Sequence, residues 1–202
     1  MFLELILGLQ RFAFVLALCL PACAQMVTHG CPEAELSKSA SPESALAYLK
    51  GNRQNLSSAC VIRAIRNLGT AQYKPAIDTL VSYLDFNVPV QPGVPLVFLA
   101  GATSGQCPAA DALARMGKFA LPTVKRALMN EALPTQSRVS AAKVLRGLEW
   151  DNKPDAIRLI VLAARNAKDV GTEDALQREA KDFVRWCPDA EKPKCQEALN
   201  EQ

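Results

Sequence analysis

Residues 60–86, CVIRAIRNLGTAQYKPAIDTLVSYLDF, constrain the fold of this chain more strongly than any other segment. An apolar face with helical spacing ends at Gly69, where a residue without Cβ adopts a left-handed stop at no steric cost. Pro75 then restarts the chain at a first-turn position, where its missing N–H is not needed. A second apolar stripe follows at i, i+3, i+4 and i+7: Ile77, Leu80, Val81 and Leu84. The segment predicts two antiparallel helices joined by a tight turn.

Two later segments repeat this arrangement. One runs from about residue 108 to 130, with Gly117 followed by Pro122, and the other from about 136 to 165, with Pro154 starting its second helix. Aromatic residues make up only 6% of the chain, and no period-2 alternation is sustained, so stacked helices are favoured over a β-sandwich. A short helix pair cannot bury its apolar face alone and needs neighbouring copies. The sequence predicts an all-α fold, a short α-solenoid of about three helix pairs.

Further helices are expected to cap both ends of this array. Ser41 is the predicted N-cap of the first helix, with Pro42 in its first turn, and Thr172 is the predicted N-cap of a long last helix. The repeat domain therefore spans residues 41–202, after a polar tether at 25–40. Residues 87–107 form an irregular insertion, because three prolines forbid a helix across its first half. The insertion either plugs one end of the core or serves as a binding loop.

Three stretches carry a resemblance to a known repeat family: AIRNLGTAQYKPAIDTL, ALARMGKFALPTVKRAL and AAKVLRGLEWDNKPDAIRL. Their pattern of apolar residues, a turn and a proline resembles HEAT repeats, and in its shortness the HEAT-like repeats of phycobilisome lyases. The resemblance covers roughly residues 57–166. It implies a superhelix whose second helices line the concave face. Arg138 matches the arginine that the family often carries before its first helix's alanine-rich run, whereas Val61 and Ala109 occupy that place in the other pairs.

The N-terminus has the pattern of an export signal. Residues 12–20, FAFVLALCL, are too few to span a bilayer and suit a signal-peptide core. A small-x-small pattern predicts a signal peptide at 1–24 and a mature start at Gln25. Residues 20–23, LPAC, also resemble the bacterial lipobox, which makes lipidation of Cys23 an alternative, and an uncleaved anchor is a third. The chain is predicted to be exported to a periplasmic or extracellular location in a bacterial envelope.

Five cysteines follow the predicted leader: Cys31, Cys60, Cys107, Cys187 and Cys195. In an exported protein they are first of all disulfide candidates. Cys187 and Cys195 flank a proline-containing bend, so they are the predicted pair. Cys31 with Cys60 is a weaker pairing that leaves Cys107 over. Unpaired cysteines packed as small apolar residues are the alternative.

No motif in the sequence carries catalytic chemistry. The chain has no nucleophile elbow, P-loop, H-E-x-x-H or dinucleotide fingerprint. Its single histidine, His29, has no obvious partner, and no Cys-x-x-Cys occurs. We therefore expect no enzymatic activity, no metal and no cofactor.

The charges are unevenly distributed and suggest a binding surface. Residues 115–168 hold 11 basic and 4 acidic side chains, whereas residues 169–202 hold 5 basic and 9 acidic ones. Positions relative to the prolines predict one basic strip on the second helices: Lys125, Arg126, Arg158 and Arg165. Our hypothesis is that this strip receives an acidic surface of another protein. The alternatives are a solvated face and head-to-tail association with a second copy.

Two functions are compatible with these observations. The first is an exported, non-catalytic scaffold that binds protein. The second is an envelope-associated structural protein or lipoprotein, held at the membrane by Cys23 or by the basic strip on anionic headgroups. Nucleic acid is not expected as a partner outside the cytoplasm.

Overall fold

The computed structural model describes residues 31–88 and 106–201. Within these residues the chain forms ten α-helices and no strand: α1 (Glu33–Leu36), α2 (Pro42–Leu49), α3 (Ser58–Thr70), α4 (Ile77–Val81), α5 (Pro108–Met116), α6 (Leu121–Met129), α7 (Thr135–Leu148), α8 (Lys153–Arg165), α9 (Val170–Arg185) and α10 (Lys192–Asn200). Short 3₁₀ turns lie at Ser37–Ser39, Arg53–Asn55, Lys74–Ala76 and Gly117–Phe119. The predicted all-α class is confirmed for this part of the chain.

Several predictions fall on residues that the structure does not describe. The signal peptide at 1–24, the lipidation alternative at Cys23, His29 and residues 89–105 of the insertion lie outside the described residues. The described part of the predicted tether is helical at α1 and Ser37–Ser39. It docks on α3, because the Asn67 side chain donates to the Ser39 carbonyl at 2.7 Å and a disulfide holds Cys31 to α3.

The helices pack in two rows, and successive helices alternate between them from α3 onward. The first row consists of α2, α3, α5, α7 and α9, each in contact with the next. The second row consists of α4, α6, α8 and α10, again in sequential contact. Apolar residues at helical spacing face the space between the rows, so one continuous core runs through all the pairs.

Gly69 has a different role from the predicted left-handed stop. The α3 helix continues through Gly69 to Thr70, and the positive φ of this turn falls on Gln72, at 48°. A Cβ on Gly69 would lie 2.8 Å from the Cα of Ala112 in α5. The glycine is therefore needed for the close approach of two helices. In the next pair Gly117 does adopt a positive φ, 61°, at the end of α5.

The cap of α2 is confirmed and that of α9 is not. The Ser44 N–H donates to Ser41 Oγ at 3.2 Å, while the Ser41 N–H donates to Ser44 Oγ at 3.0 Å, a reciprocal capping pair. The predicted cap Thr172 instead lies inside α9 and is buried. Its N–H donates to Asp169 Oδ1 at 2.8 Å, because a carboxylate at this position accepts from the helix N-terminus and complements its dipole.

A buried arginine connects the two rows. Arg138 of α7 is only 2% exposed. Its Nε donates to the carbonyl of Leu128 at 3.0 Å and its Nη2 to the carbonyl of Ala163 at 2.7 Å. These carbonyls belong to the last turns of α6 and α8, where a cation complements the helix dipole. The arginine that the HEAT-like resemblance singled out thus ties first-row α7 to both neighbouring second-row helices.

Disulfides cross-link the chain near both ends of the described fold. Cys187 and Cys195, the predicted pair, have their sulfurs 2.14 Å apart at the connection between α9 and α10. Cys31 and Cys60 have theirs 2.05 Å apart and fix the N-terminal segment to α3. Cys107 belongs to neither disulfide; its Sγ lies 3.4 Å from the Leu84 carbonyl, and burial raises the pKa of its thiol.

Candidate functional site

The predicted basic strip lies on the second row, but its α6 members face acidic neighbours. Lys125 Nζ is 2.6 Å from Glu149 Oε1, and Arg126 Nη2 is 3.8 Å from Asp78 Oδ1. The Arg126 pair is largely exposed on both sides, so it is weak. These contacts connect α6 to the end of α7 and to α4.

The α8 members of the strip contact the end of the described chain. Arg158 lies 2.8 Å from Asp155 Oδ1 and 2.8 Å from Glu201 Oε1, and Arg165 donates to the backbone carbonyl of Glu201. Hydrogen bonds from Asn152 and then Arg158 lower the pKa of Asp155. Glu201, followed by Asp155, raises the pKa of Arg158. All four cations of the strip thus contact internal acceptors.

The first row carries three arginines in a different situation: Arg63 and Arg66 on α3 and Arg115 on α5. We call them the first-row arginines. All three are exposed. Within residues 31–88 and 106–201, none of them forms an ion pair. A partner that binds them therefore breaks no ion pair within these ranges.

Further along the first row the positive charges are balanced. Lys143 Nζ lies 3.6 Å from Glu179 Oε1 and Arg146 Nη1 lies 3.9 Å from Glu179 Oε2. The Glu179 side chain is only 15% exposed, and burial raises its pKa against the opposing effect of Lys143 and Arg146. On α9 three cations, Arg178, Lys181 and Arg185, share the helix with four acids: Glu173, Asp174, Glu179 and Asp182. In contrast, α3 carries two arginines and no acid, and α5 carries Arg115 together with Asp111.

A cleft of about 160 Å³ lies between α3 and α5 beside Arg66 and Arg115. Its lining consists of Arg66, Gly69, Thr70, Pro108, Asp111, Ala112 and Arg115. The missing side chain of Gly69 lets α5 approach, and a Cβ there would also lie 3.6 Å from the Arg115 Cδ. The floor is thus made of small or apolar residues, and Arg66 and Arg115 line the same opening from different helices.

Two of the first-row arginines could have been identified from the sequence, but charge counts over long regions do not reveal them. Residues 25–114 hold six charges of each sign, so the region looks neutral. The α3 segment SACVIRAIRNLGT nevertheless contains two arginines three residues apart and no acid. Residues at i and i+3 share a helix face. Counting charges on each helix would have identified Arg63 and Arg66, whereas Arg115 joins them only through tertiary packing.

Exposed aromatic side chains occupy the connections between the helices of three successive pairs. Phe119 is 61%, Trp150 46% and Trp186 65% exposed. Lys74 Nζ lies 3.3 Å from the centre of the Phe119 ring, and Lys153 Nζ lies 4.5 Å from that of Trp150. Such cation–π contacts orient the rings but leave them accessible.

The part of the chain that the structure describes has no group of three or more His, Cys, Asp or Glu side chains placed to hold a metal ion. None of the helices in the described ranges has the length and apolar character needed to cross a membrane. No family model, no curated protein and no solved structure matches this chain. The HEAT-like assignment therefore stays a prediction from the sequence pattern.

Proposed function

We propose that this chain is a non-catalytic helical-repeat protein that binds an acidic segment of another protein through α3 and α5. The observation that carries the proposal is the group of first-row arginines, which are exposed on adjacent helices and form no ion pair within the described residues. A concentrated positive surface of this kind attracts acidic partners and orients them.

The proposed architecture is a short HEAT-like α-solenoid of about three helix pairs between capping helices. The alternation of successive helices between two rows supports it, as do contacts mainly between neighbouring pairs. In such a stack each helix is held by the ones before and after it. The first-row arginines would then project from a rigid surface, which lowers the entropic cost of binding.

An oxidising location fits this proposal. Two cysteine pairs lie at disulfide distance, and disulfides persist mainly in exported proteins. Together with the predicted signal peptide, they support a periplasmic or extracellular protein of a bacterial envelope. The partner would then be an acidic protein of the same compartment.

We place the partner on the first row and not on the predicted strip for an energetic reason. An acid that binds Arg158 must compete with Asp155 and Glu201, both 2.8 Å away. Exchanging one carboxylate for another gains little free energy. An acid that binds Arg66 or Arg115 breaks no ion pair within the described residues, so desolvation offsets its attraction but the loss of an internal carboxylate does not.

Attachment to the envelope is a second candidate function. The exposed Phe119, Trp150 and Trp186 favour it, since amphipathic aromatic rings are enriched at membrane–water interfaces. In this alternative the chain is a structural protein or lipoprotein held at a membrane surface.

Site-specific photo-cross-linking of the full chain tests the proposal. A cross-linkable residue replaces Arg63 on α3 or, as the matched control, Arg178 on α9, and each is irradiated in the envelope fraction of the native host. We expect one dominant acidic protein to be captured from position 63 only, and capture to disappear in an Arg66→Glu, Arg115→Glu background. Equal capture from both positions, or capture that survives the charge reversal, would contradict the proposal. Binding to phosphatidylglycerol vesicles that Phe119→Ser abolishes would favour the second candidate.

A further inference from the structure

We infer that the cleft between α3 and α5 is an anchor pocket for a single side-chain carboxylate of the partner, which Arg66 and Arg115 hold by their guanidinium groups. This inference rests on the proposed function and adds to it the chemical group that is recognised. It also separates the first-row arginines into two roles, because Arg63 does not line the cleft. Arg63 attracts the segment, and the other two bind it.

The size of the cleft limits what it can receive. Its volume is about 160 Å³, below the roughly 300–1,000 Å³ of pockets for drug-sized ligands. This space suits one aspartate or glutamate side chain of a longer segment. Binding energy at protein interfaces is commonly concentrated in such small, well-packed pockets.

The donors in the lining favour a carboxylate. A guanidinium presents a planar fork of N–H donors that matches a carboxylate in two parallel hydrogen bonds. Thr70 adds a hydroxyl to the same lining, and Gly69, Pro108 and Ala112 supply a surface without competing donors. Docking of a partner excludes water from this floor and strengthens the charged hydrogen bonds.

The net charge of the lining distinguishes a carboxylate from a phosphate. Arg66 and Arg115 contribute two positive charges and Asp111 one negative charge, so the lining matches a monoanion. A phosphate monoester carries about −1.5 to −2 charges at neutral pH and would be repelled more strongly by Asp111. The pocket is therefore expected to prefer glutamate or aspartate over phosphoserine.

The close approach of the helices makes Gly69 a positioning residue for the pocket. A methyl group here would lie 2.8 Å from both Cα and Cβ of Ala112, so α3 and α5 must move apart to accept it. It would also contact Arg115 Cδ at 3.6 Å. The distance between the backbones that carry Arg66 and Arg115 thus depends on a residue without a side chain.

Three amidated, fluorescently labelled twelve-residue peptides test the inference with the full chain. They share a Gly/Ser background and carry glutamate, glutamine or phosphoserine at the same four positions. Fluorescence anisotropy gives the Kd of each for the wild type, for Arg66→Lys with Arg115→Lys, and for Arg66→Gln with Arg115→Gln. Arg178→Gln is the matched control, and circular dichroism verifies that each variant is folded.

The glutamate peptide is expected to bind at least about tenfold more tightly than the glutamine peptide, because only the carboxylate accepts charge-assisted hydrogen bonds. It is expected to bind more tightly than the phosphoserine peptide, because Asp111 repels the additional charge of the phosphate. The lysine variant keeps the positive charges but loses the planar N–H donors of the guanidinium groups, so its affinity for the glutamate peptide should be about three- to tenfold lower than that of the wild type. The glutamine variant should lose more affinity. Arg178→Gln should change it less than about twofold.

Unaltered binding by the lysine variant would overturn the pocket while the proposed function stands, because charge alone would then account for the affinity. Equal binding of glutamate and glutamine peptides, or no binding of either, would overturn both. Tighter binding of the phosphoserine peptide would overturn the choice of a carboxylate.

Discussion

The two helix rows use the same cationic residue types in opposite ways. In the second row the cations of the predicted strip contact internal acceptors, such as Glu149 beside Lys125 and Glu201 beside Arg158. In the first row Arg66 and Arg115 flank an open cleft instead. The cations of the strip have internal acceptors within the described residues, whereas the first-row arginines form no ion pair there. A basic surface is therefore informative about binding once its internal ion pairs are known.

The largest loss of stability is expected from the substitution of Arg138, the buried cation whose hydrogen bonds hold two second-row helices to α7. Arg138→Ala leaves the Leu128 and Ala163 carbonyls without their donor and opens a cavity in the core. We expect the free energy of unfolding in urea to fall by about 3–5 kcal/mol. The exposed Arg178→Ala should change it by less than about 0.5 kcal/mol. A loss below about 1 kcal/mol for Arg138→Ala would show that this buried arginine does not hold the rows together.

Gly69→Ala should cause the next largest loss of stability, because it changes the packing between two helices of the first row. The new methyl group meets the backbone of Ala112 at 2.8 Å, so the α3–α5 contact must widen. Overpacking of this kind costs about 1–3 kcal/mol. Binding of the glutamate peptide should weaken in parallel. Gly171→Ala, where the nearest neighbour is the Asp169 side chain at 3.3 Å, serves as the control and should leave peptide binding unchanged.

Removal of an exposed second-row cation should have little effect. Arg126→Gln breaks only the 3.8 Å contact with Asp78, and both side chains are largely exposed. Surface ion pairs contribute about 0–1 kcal/mol, so the free energy of unfolding in urea should stay within about 0.5 kcal/mol of the wild type. A drop of about 2 kcal/mol or more would mean that surface pairs stabilise the second row far more than usual.

The smallest expected effect is a pH dependence that arises at Glu179. Burial raises the pKa of its carboxyl in the folded state, so the folded protein binds more protons than the unfolded chain as this group titrates. Stability from this group is present below the ordinary glutamate pKa of 4.5 and is lost as pH rises through the raised value. Urea denaturation at several pH values should show that the free energy of unfolding of the wild type, relative to that of Glu179→Gln, falls as pH rises. A difference that increases with pH would contradict the sign.

Local sequence rules predicted the helix pairs and one cap but not the roles of particular residues. Helical periodicity and the prolines are sufficient to identify α3 to α8, because these signals act within a few residues. The sequence pattern does not reveal α10, because a proline near its start is compatible with a bend as well as with the first turn of a helix. The role of Gly69 differs from the prediction because Ala112, which it contacts, is distant in sequence and close only in the fold.

The candidate site could be predicted from local sequence rules even less well than the fold. Positions relative to the prolines placed the strip on the second row, and the structure keeps it there. One of the two acidic partners of Arg158, however, is Glu201, which lies 43 residues away in the sequence. A regional net charge contains no information about such pairing. The cleft itself depends on two helices from different pairs, so its members were not recognisable as neighbours.

The most direct test of the difference between the rows is one binding comparison. The Kd of the glutamate peptide is measured for two matched charge reversals, Arg66→Glu with Arg115→Glu and Arg126→Glu with Arg158→Glu, at the same low ionic strength. The account predicts at least about a tenfold loss of affinity for the first-row variant and less than about a threefold loss for the second-row variant. A larger loss in the second-row variant, with both proteins folded, would contradict it and return the binding surface to the predicted strip.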